Sequence, residues 1–215
     1  MSDYLDQIRN DHHNFNKGKL GDAVDLNPFQ LFQTWYQEAY DAKATEPNAF
    51  TLSTVDQDLK PSSRILFLRD FDETGFTFFT NYNSKKGKDL LLNPFASLLF
   101  FWPTLERQIR IEGEIEKASN QVSDAYFASR PKSSQIGAWA SQQSEKLNSR
   151  SDLEERITRL NDKYPNEVPR PPHWGGYVLK ASRFEFWQGR ASRLHDRIIF
   201  DKSETDSWNI FRLNP

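Results

Sequence analysis

The sequence predicts a mainly β, antiparallel fold with peripheral helices, a closed or partly closed barrel. Three observations lead there. Strand-like runs are short and are separated by turn signals about every dozen residues. Helical periodicity is confined to residues 27–45 and 120–165, with a short patch near residue 90. Aromatic residues make up 14% of the chain, with 17 Phe, 7 Tyr and 6 Trp, the bulk that a ring-rich β-core requires.

Residues 1–25 are polar and read as a loose N-terminal arm, or lid, ahead of a single domain spanning residues 26–215. Phe29, Phe32, Trp35, Tyr36 and Ala39 recur at helical spacing, with Asn27 placed to cap a helix that opens on Pro28. Phe50–Val55 is strand-like, Asp56–Lys60 a turn, and Ser63–Arg69 a second strand. Asp70–Gly75 then makes a tight connection into Phe76–Thr80. A short helix around Lys86–Leu92 leads to an apolar strand, Ala96–Trp102. In Gln108–Ala118, Ile109, Ile111 and Ile115 alternate with Arg110, Glu112 and Glu116, as on a sheet with one wet face. Val122–Ser129, Ser134–Ser141 and Leu153–Tyr164 read as helices. The prolines at 165, 169, 171 and 172 enforce an extended connection. Strands near Gly176–Leu179, Arg183–Gln188 and Asp196–Phe200 lead to Trp208–Leu213.

Composition excludes several classes. Lys and Arg total 28 against 30 Asp and Glu, a formal charge of −2, which disfavours nucleic acid or an anionic membrane as partner. With no cysteine there is no disulfide, thiolate catalysis or cysteine-based metal site. Mean hydropathy is −0.77, and no apolar run approaches the roughly 20 residues of a membrane helix. The polar start lacks the apolar stretch of a secretory signal, so a cytoplasmic protein is expected.

Chemistry-bearing residues gather in four places. Arg64 and Arg69 flank Ile65–Leu68, and their odd spacing puts them on opposite faces of an ideal strand; ordinary strand-end arginines would look the same. Thr80–Lys88 brings two lysines and hydroxyls to a helix start, where free N–H groups and the helix dipole favour phosphate; a solvated lysine cluster has the same composition. Ser129-Arg130-Pro131-Lys132-Ser133-Ser134 repeats that theme. No GxxxxGK[ST] or GxGxxG accompanies either. Finally, Phe186–Arg197 reads as strand, turn and strand, with Arg193 and His195 on one face and Asp196 and Arg197 beside them; a surface ion-pair hairpin is the plainer alternative. No GxSxG elbow accompanies it.

Taken in order, Phe79-Thr80-Asn81, Leu105-Glu106-Arg107-Gln108, Ser129-Arg130-Pro131, Ser134–Trp139, Trp174-Gly175-Gly176, Glu185–Gly189, Arg193–Arg197 and Arg212–Pro215 resemble pyridoxamine 5′-phosphate oxidases from about residue 27 to the end. The resemblance implies an FMN-binding split β-barrel and a homodimer with flavin at the subunit interface. It explains two anion sites, one for the FMN phosphate and one for the phosphate of a B6 substrate. It places flavin contacts at Arg64, Ile65, Leu66, Phe67, Leu68, Arg69, Phe79, Thr80, Lys85, Lys86, Gln108, Gln143, Ser144, Trp187 and Arg197. It places substrate contacts at Arg69, Tyr126, Arg130, Ser134, Arg193, Leu194 and His195, with Arg9 and His12 in the arm. Arg193 and His195 are the implied catalytic pair. Two positions depart from the family pattern: Arg69 stands where lysine is usual, and Lys85 where arginine is common. The implied reaction is hydride transfer from C4′ of pyridoxamine or pyridoxine 5′-phosphate to the flavin, which dioxygen reoxidises to give hydrogen peroxide. A non-catalytic flavin binder on the same barrel is the alternative. It would need Arg64, Lys86 and Gln108 but has no use for Arg130, Ser134 and the Arg193–His195 pair.

Overall fold

The structure is a computed structural model that describes residues 6, 9, 14–21 and 27–215. These form nine strands and five α-helices, the mainly β class predicted from sequence, gathered into two compact units. Along the sheet the strands run Pro61–Phe67 (β2), Ala49–Val55 (β1), Phe95–Trp102 (β5), Arg107–Lys117 (β6), Trp174–Gln188 (β7), Gly75–Asn81 (β4) and Asp70–Asp72 (β3), with Asp196–Lys202 (β8) added on β7 and Trp208–Arg212 (β9) on β8.

The larger unit comprises Asn48–Leu98 and Ile111–Ser182. In it β1 (Ala49–Val55) pairs antiparallel with β2 (Pro61–Phe67), Ala49 opposite Phe67 and Val55 opposite Pro61. Strict alternation puts Phe50, Leu52 and Thr54 of β1 inside. The short strand β3 (Asp70–Asp72) turns back into β4 (Gly75–Asn81), which pairs with the first half of β7 (Trp174–Gln188). Helix α2 (Lys85–Leu92) is capped by the Ser84 side chain, which accepts from the Gly87 N–H. Helices α3 (Asn120–Ser129), α4 (Lys132–Ala140) and α5 (Arg150–Lys163) follow. Phe127, Ile136, Val168 and Trp174 make their common core.

The smaller unit holds α1 (Pro28–Asp41), Leu99–Arg110 and the chain from Arg183 onward. Asn27 and Gln30 form a reciprocal capping box, and Pro28 opens the helix as expected. The apolar stripe of α1 meets strand rings edge-on: Phe32 against Phe100, Trp35 against Phe186. The second half of β7 pairs with β8 (Asp196–Lys202), which pairs with β9 (Trp208–Arg212). β5 (Phe95–Trp102), β6 (Arg107–Lys117) and β7 each contribute residues to both units.

One expectation is corrected. The two strands expected near residues 176–179 and 183–188 are one strand of 15 residues. Lys180 and Ser182 face outward while Ala181 is buried, so the alternation continues without a break.

Candidate active site

The larger unit contains a cavity of about 410 Å³, walled by the end of β2, by β4, α3, α4 and the start of β7. One wall is aromatic and flat. The Phe79 ring stacks on Tyr126 at 4.0 Å and on Trp174 at 5.6 Å, with interplanar angles of 19° and 12°. This wall needs a glycine behind it, because a Cβ at Gly176 would lie 2.9 Å from the Phe79 ring.

Two guanidinium groups enter the same cavity. Arg130 follows α3 and lies 4.6 Å over the Trp174 ring. Its Nη1 is buried and has no hydrogen-bond partner among the described residues. Burial depresses its pKa, and the charge of Arg69 adds to the effect. Arg69 lies beyond the end of β2, with its N–H donated to the Thr77 carbonyl. Its guanidinium faces the Phe67 and Tyr126 rings at 5.4 and 5.9 Å. Ser134, from the first turn of α4, completes this end.

At the other end stand Thr80 and Gln143. Between them reaches Lys86, only 6% exposed. Its Nζ donates to Gln143 Oε1 at 3.0 Å and to Thr80 Oγ1 and Ser84 Oγ at 3.3 Å. All three acceptors are neutral, and the ammonium is pushed down to about 8, chiefly by burial and then by Arg64, with Asp89 opposing. Arg64 is held by Thr54 Oγ1 at 2.8 Å and lies 3.9 Å from Asp89. The two lysines at the start of α2 therefore do different things. Lys85 turns to Asp89 and Asp56, at 3.1 and 3.4 Å, and with Ser144 lines a separate cavity.

Of the residues expected around a flavin, Leu66, Phe67, Arg69, Phe79, Thr80 and Gln143 line the main cavity, and Lys86 touches two of them. Ile65 is 61% exposed and Leu68 is buried, and neither lines it. All four expected substrate residues of this unit, Arg69, Tyr126, Arg130 and Ser134, line that cavity.

The remaining expected residues belong to the smaller unit. Gln108 is half-buried on β6. Arg197, on β8, makes a two-pronged pair with Glu185, at 2.9 and 3.0 Å. Burial pushes the Glu185 carboxyl up, but Arg197 and Arg110 outweigh it and leave it below its ordinary value. The shared strand face expected for Arg193 and His195 is not there. Ala191–Arg193 is a tight helical turn and β8 begins only at Asp196. Ser192 and Arg193 take left-handed backbone, φ 56° and 62°. The run Arg190–Arg193 offers only the small, exposed Ala191 as an apolar position, too little to anchor a strand, and the chain turns instead. Arg193 and Leu194 are exposed. His195 lies against Trp187 with ring centroids 4.6 Å apart and planes tilted by 41°, and its Nδ1 accepts from the Arg190 N–H at 3.1 Å. Burial lowers the His195 pKa, and Arg193 lowers it further. In the arm, Arg9 is exposed and pairs with Asp6 at 3.2 Å; His12 lies outside the described residues.

Sequence reasoning assigned no role to Trp174 or Glu185, although both sit inside motifs it singled out. The paired glycines after Trp174 were the available signal, since two absent side chains beside a ring mark a close approach. For Glu185 there was none beyond its strand position opposite Ile199.

A family model described as pyridoxamine 5′-phosphate oxidase matches residues 36–164. A second, described as the pyridoxine 5′-phosphate oxidase C-terminal dimerisation region, matches residues 174–215. The chain is 55% identical over 204 residues to a pyridoxine/pyridoxamine 5′-phosphate oxidase of Paraburkholderia phytofirmans, covering 94% of this chain and 96% of that one. It is 54% identical over 202 residues to the corresponding protein of Bordetella pertussis, with the same coverages. Among solved structures, PhzG from Burkholderia lata in complex with tetrahydrophenazine-1-carboxylic acid is similar with a TM-score of 0.84 at 30% identity, covering 90% of this chain and 98% of that one. A pyridoxamine 5′-phosphate oxidase-related, FMN-binding protein from Nostoc punctiforme shares the fold, with a TM-score of 0.71 at 16% identity over 89% of this chain and all of that one. The split-barrel fold is thus that of its structural neighbours.

Proposed function

The chain belongs to the pyridoxamine 5′-phosphate oxidase family, and we propose that it oxidises pyridoxamine or pyridoxine 5′-phosphate to pyridoxal 5′-phosphate, with FMN as cofactor and dioxygen as acceptor. The observation that carries this reading is Arg130. A half-buried guanidinium with a buried, unpartnered Nη1, beside a second arginine and a flat aromatic wall, calls for a ligand that is both planar and strongly anionic. A pyridine ring bearing a phosphate ester has both properties.

The residues also fit FMN. Lys86 is a buried cation whose three acceptors are all neutral, so a phosphate would supply the missing negative charge. Lys86, Thr80 and Gln143 would hold that phosphate, with Arg64 adding positive charge behind them. When bound, FMN supplies a two-electron acceptor that dioxygen can reoxidise. The protein's own part is orientation and charge. Arg69, Arg130 and Ser134 hold the substrate phosphate, and the Phe79–Tyr126–Trp174 wall keeps water from one side of the cavity. At His195, Nδ1 is occupied as an acceptor, so the neutral ring carries its proton on Nε2 and presents it as a donor. Arg193 and His195 would orient C4′ and its leaving hydrogen, with Trp187 and Arg197 contributing to the flavin site from the same unit.

The C-terminal match to a dimerisation region, together with exposed Ile210 and Phe211, supports a homodimer as the working assembly. No helix among the described residues is long and apolar enough to cross a membrane. A cytoplasmic, soluble enzyme acting on small molecules is the corresponding reading.

The test is direct. Protein reconstituted with FMN should convert pyridoxamine 5′-phosphate, water and dioxygen into pyridoxal 5′-phosphate, ammonia and hydrogen peroxide in equal amounts. Bound flavin with no turnover of either phosphate substrate would overturn the catalytic reading in favour of a flavin binder. Oxidation of a planar carboxylic acid in preference to both phosphates would overturn the substrate.

A further inference from the structure

Of the smaller unit's two buried carboxylates among the described residues, Glu185 is taken by Arg197 and Arg110, and Glu106 has no part in the reaction above. Glu106 follows the tight turn Pro103–Leu105, has left-handed backbone (φ 54°) and is 8% exposed. Its Oε2 accepts two successive backbone N–H groups of the arm, from Asn16 at 2.8 Å and Lys17 at 2.9 Å. Lys17 Nζ adds a bond to the Thr104 carbonyl at 2.9 Å. Farther on, the Leu20 N–H reaches Asp196 Oδ2 at 3.1 Å, and Arg212 donates to the Leu20 and Gly21 carbonyls at 2.7 and 2.8 Å. Residues 14–21 are therefore strapped down at both ends.

What the strap presses on is Phe15. Its ring meets Trp187 edge-on at 5.8 Å and His195 at 5.5 Å. It also lies against Gly189, where any Cβ would come within 2.8 Å of the ring. The Gly189 N–H is donated to the Glu106 carbonyl at 2.8 Å. One residue thus grips both partners of the contact, the arm by its side chain and the strand end by its backbone. The groups flanking His195 are Arg193, Arg190 and Asp196, the last two paired at 2.9 Å. None of them covers the ring as Phe15 does.

We infer that Glu106 is a positioning residue: it fixes the arm at Asn16 and Lys17 so that Phe15 braces His195 against Trp187. The inference rests on the reading of His195 as a group that touches substrate, and its test is chosen to be independent of turnover. Burial, of which Phe15 supplies a part, holds the His195 pKa below its ordinary value.

The experiment is a proton NMR titration of the histidine ring signals in the holoenzyme; the chain has only 4 histidines, so His195 can be assigned by substitution. Glu106→Ala and Phe15→Ala should each shift the His195 midpoint upward, toward the ordinary histidine value. Gly189→Ala, which leaves the carboxylate intact but drives a methyl into the Phe15 ring, should do the same. In turnover the Phe15→Ala variant should lose roughly three- to tenfold in kcat/KM. The Glu106→Ala, Phe15→Ala double variant should lose no more than the worse single one, as residues acting through one contact do. An unchanged His195 midpoint in both Phe15→Ala and Gly189→Ala would overturn the brace. A shifted midpoint with unchanged kcat/KM would uphold it and instead remove His195 from the reaction.

Discussion

The cavity of the larger unit and the Arg193–His195 turn of the smaller one are built on opposite terms. Much of the cavity wall stands on regular elements: Phe79 and Thr80 on β4, Tyr126 on α3, Ser134 on α4 and Trp174 on β7, while Arg69 and Arg130 follow within two residues of the ends of β2 and α3. Two of its cations, buried Lys86 and half-buried Arg130, are largely desolvated before any ligand arrives, and both have depressed pKa values. The turn has no regular element under it. Two consecutive non-glycine residues sit in left-handed backbone, a strain on the order of 1–2 kcal/mol each, and Arg193 is exposed. A region whose electrostatic cost is met in folding can hold an anion without rearranging. A region held by a short turn and a neighbouring strap places groups accurately only while those neighbours stay put. On the function proposed above, the labour divides in the same way: the cavity would bind and the turn would orient.

Two substitutions sharpen that division, and they carry the largest effects. Arg193→Ala should reduce kcat by about a hundredfold, the usual penalty for a misplaced reacting group, with the flavin still bound. Arg130→Ala should instead raise KM by roughly ten- to a hundredfold and spare kcat, since a charge-assisted phosphate contact is worth about 1.5–3 kcal/mol. Anaerobic reduction of the flavin at saturating substrate separates the two cases. A wild-type reduction rate in Arg193→Ala, or flavin loss with unchanged KM in Arg130→Ala, would break the comparison.

A smaller effect follows from Lys86, which sits at about 8 in the ligand-free protein. A phosphate beside it favours the charged form and raises that value. FMN affinity should therefore be full below about 8 and fall as pH rises beyond it, by up to tenfold per pH unit, until the bound-state value is reached. Stability of the ligand-free chain runs the other way. Between about 8 and the unfolded lysine value, the unfolded state binds more protons, so rising pH stabilises the fold. Lys86→Arg keeps its charge throughout and should flatten the affinity profile, as read by quenching of flavin fluorescence. The same slope in both proteins would mean that Lys86 is not the group that titrates.

What could be read from the sequence follows the same line between the regions. Alternating strands such as Gln108–Ala118, the Asn27–Pro28 helix start and the helix start within Thr80–Lys88 are local patterns, and each formed where local physics puts it. Arg69, Tyr126, Arg130 and Ser134 line one cavity, and long motifs rather than periodicity pointed to them. The failures are tertiary. Asp89 stands one helical turn from Lys85, but nothing local to Lys85 shows that Asp56 will also take its charge. Nothing in Arg193–His195 announces a left-handed turn, because non-glycine residues adopt that backbone only where surroundings impose it. Glu106 reads as one more strand-end acid until the arm's backbone arrives at its carboxylate.

The finest test of the comparison is Arg69→Lys, which restores the residue most common in the resembling family. Arg69 is exposed at the cavity mouth, where its flat guanidinium faces the Phe67 and Tyr126 rings at 5.4 and 5.9 Å. Lysine keeps the charge, and so most of the attraction to a phosphate, but it loses the planar face and the two-pronged grip. An exposed cation over a ring is worth about 0.5–1 kcal/mol, which converts to a two- to fivefold rise in KM. With the cavity proposed to bind rather than orient, kcat should stay within a factor of about two. Steady-state kinetics with pyridoxamine 5′-phosphate, at fixed flavin occupancy, decides it. A tenfold drop in kcat with KM unchanged would mean that a cavity-wall cation also aims C4′, and the line between binding and orienting would have to be redrawn through Arg69.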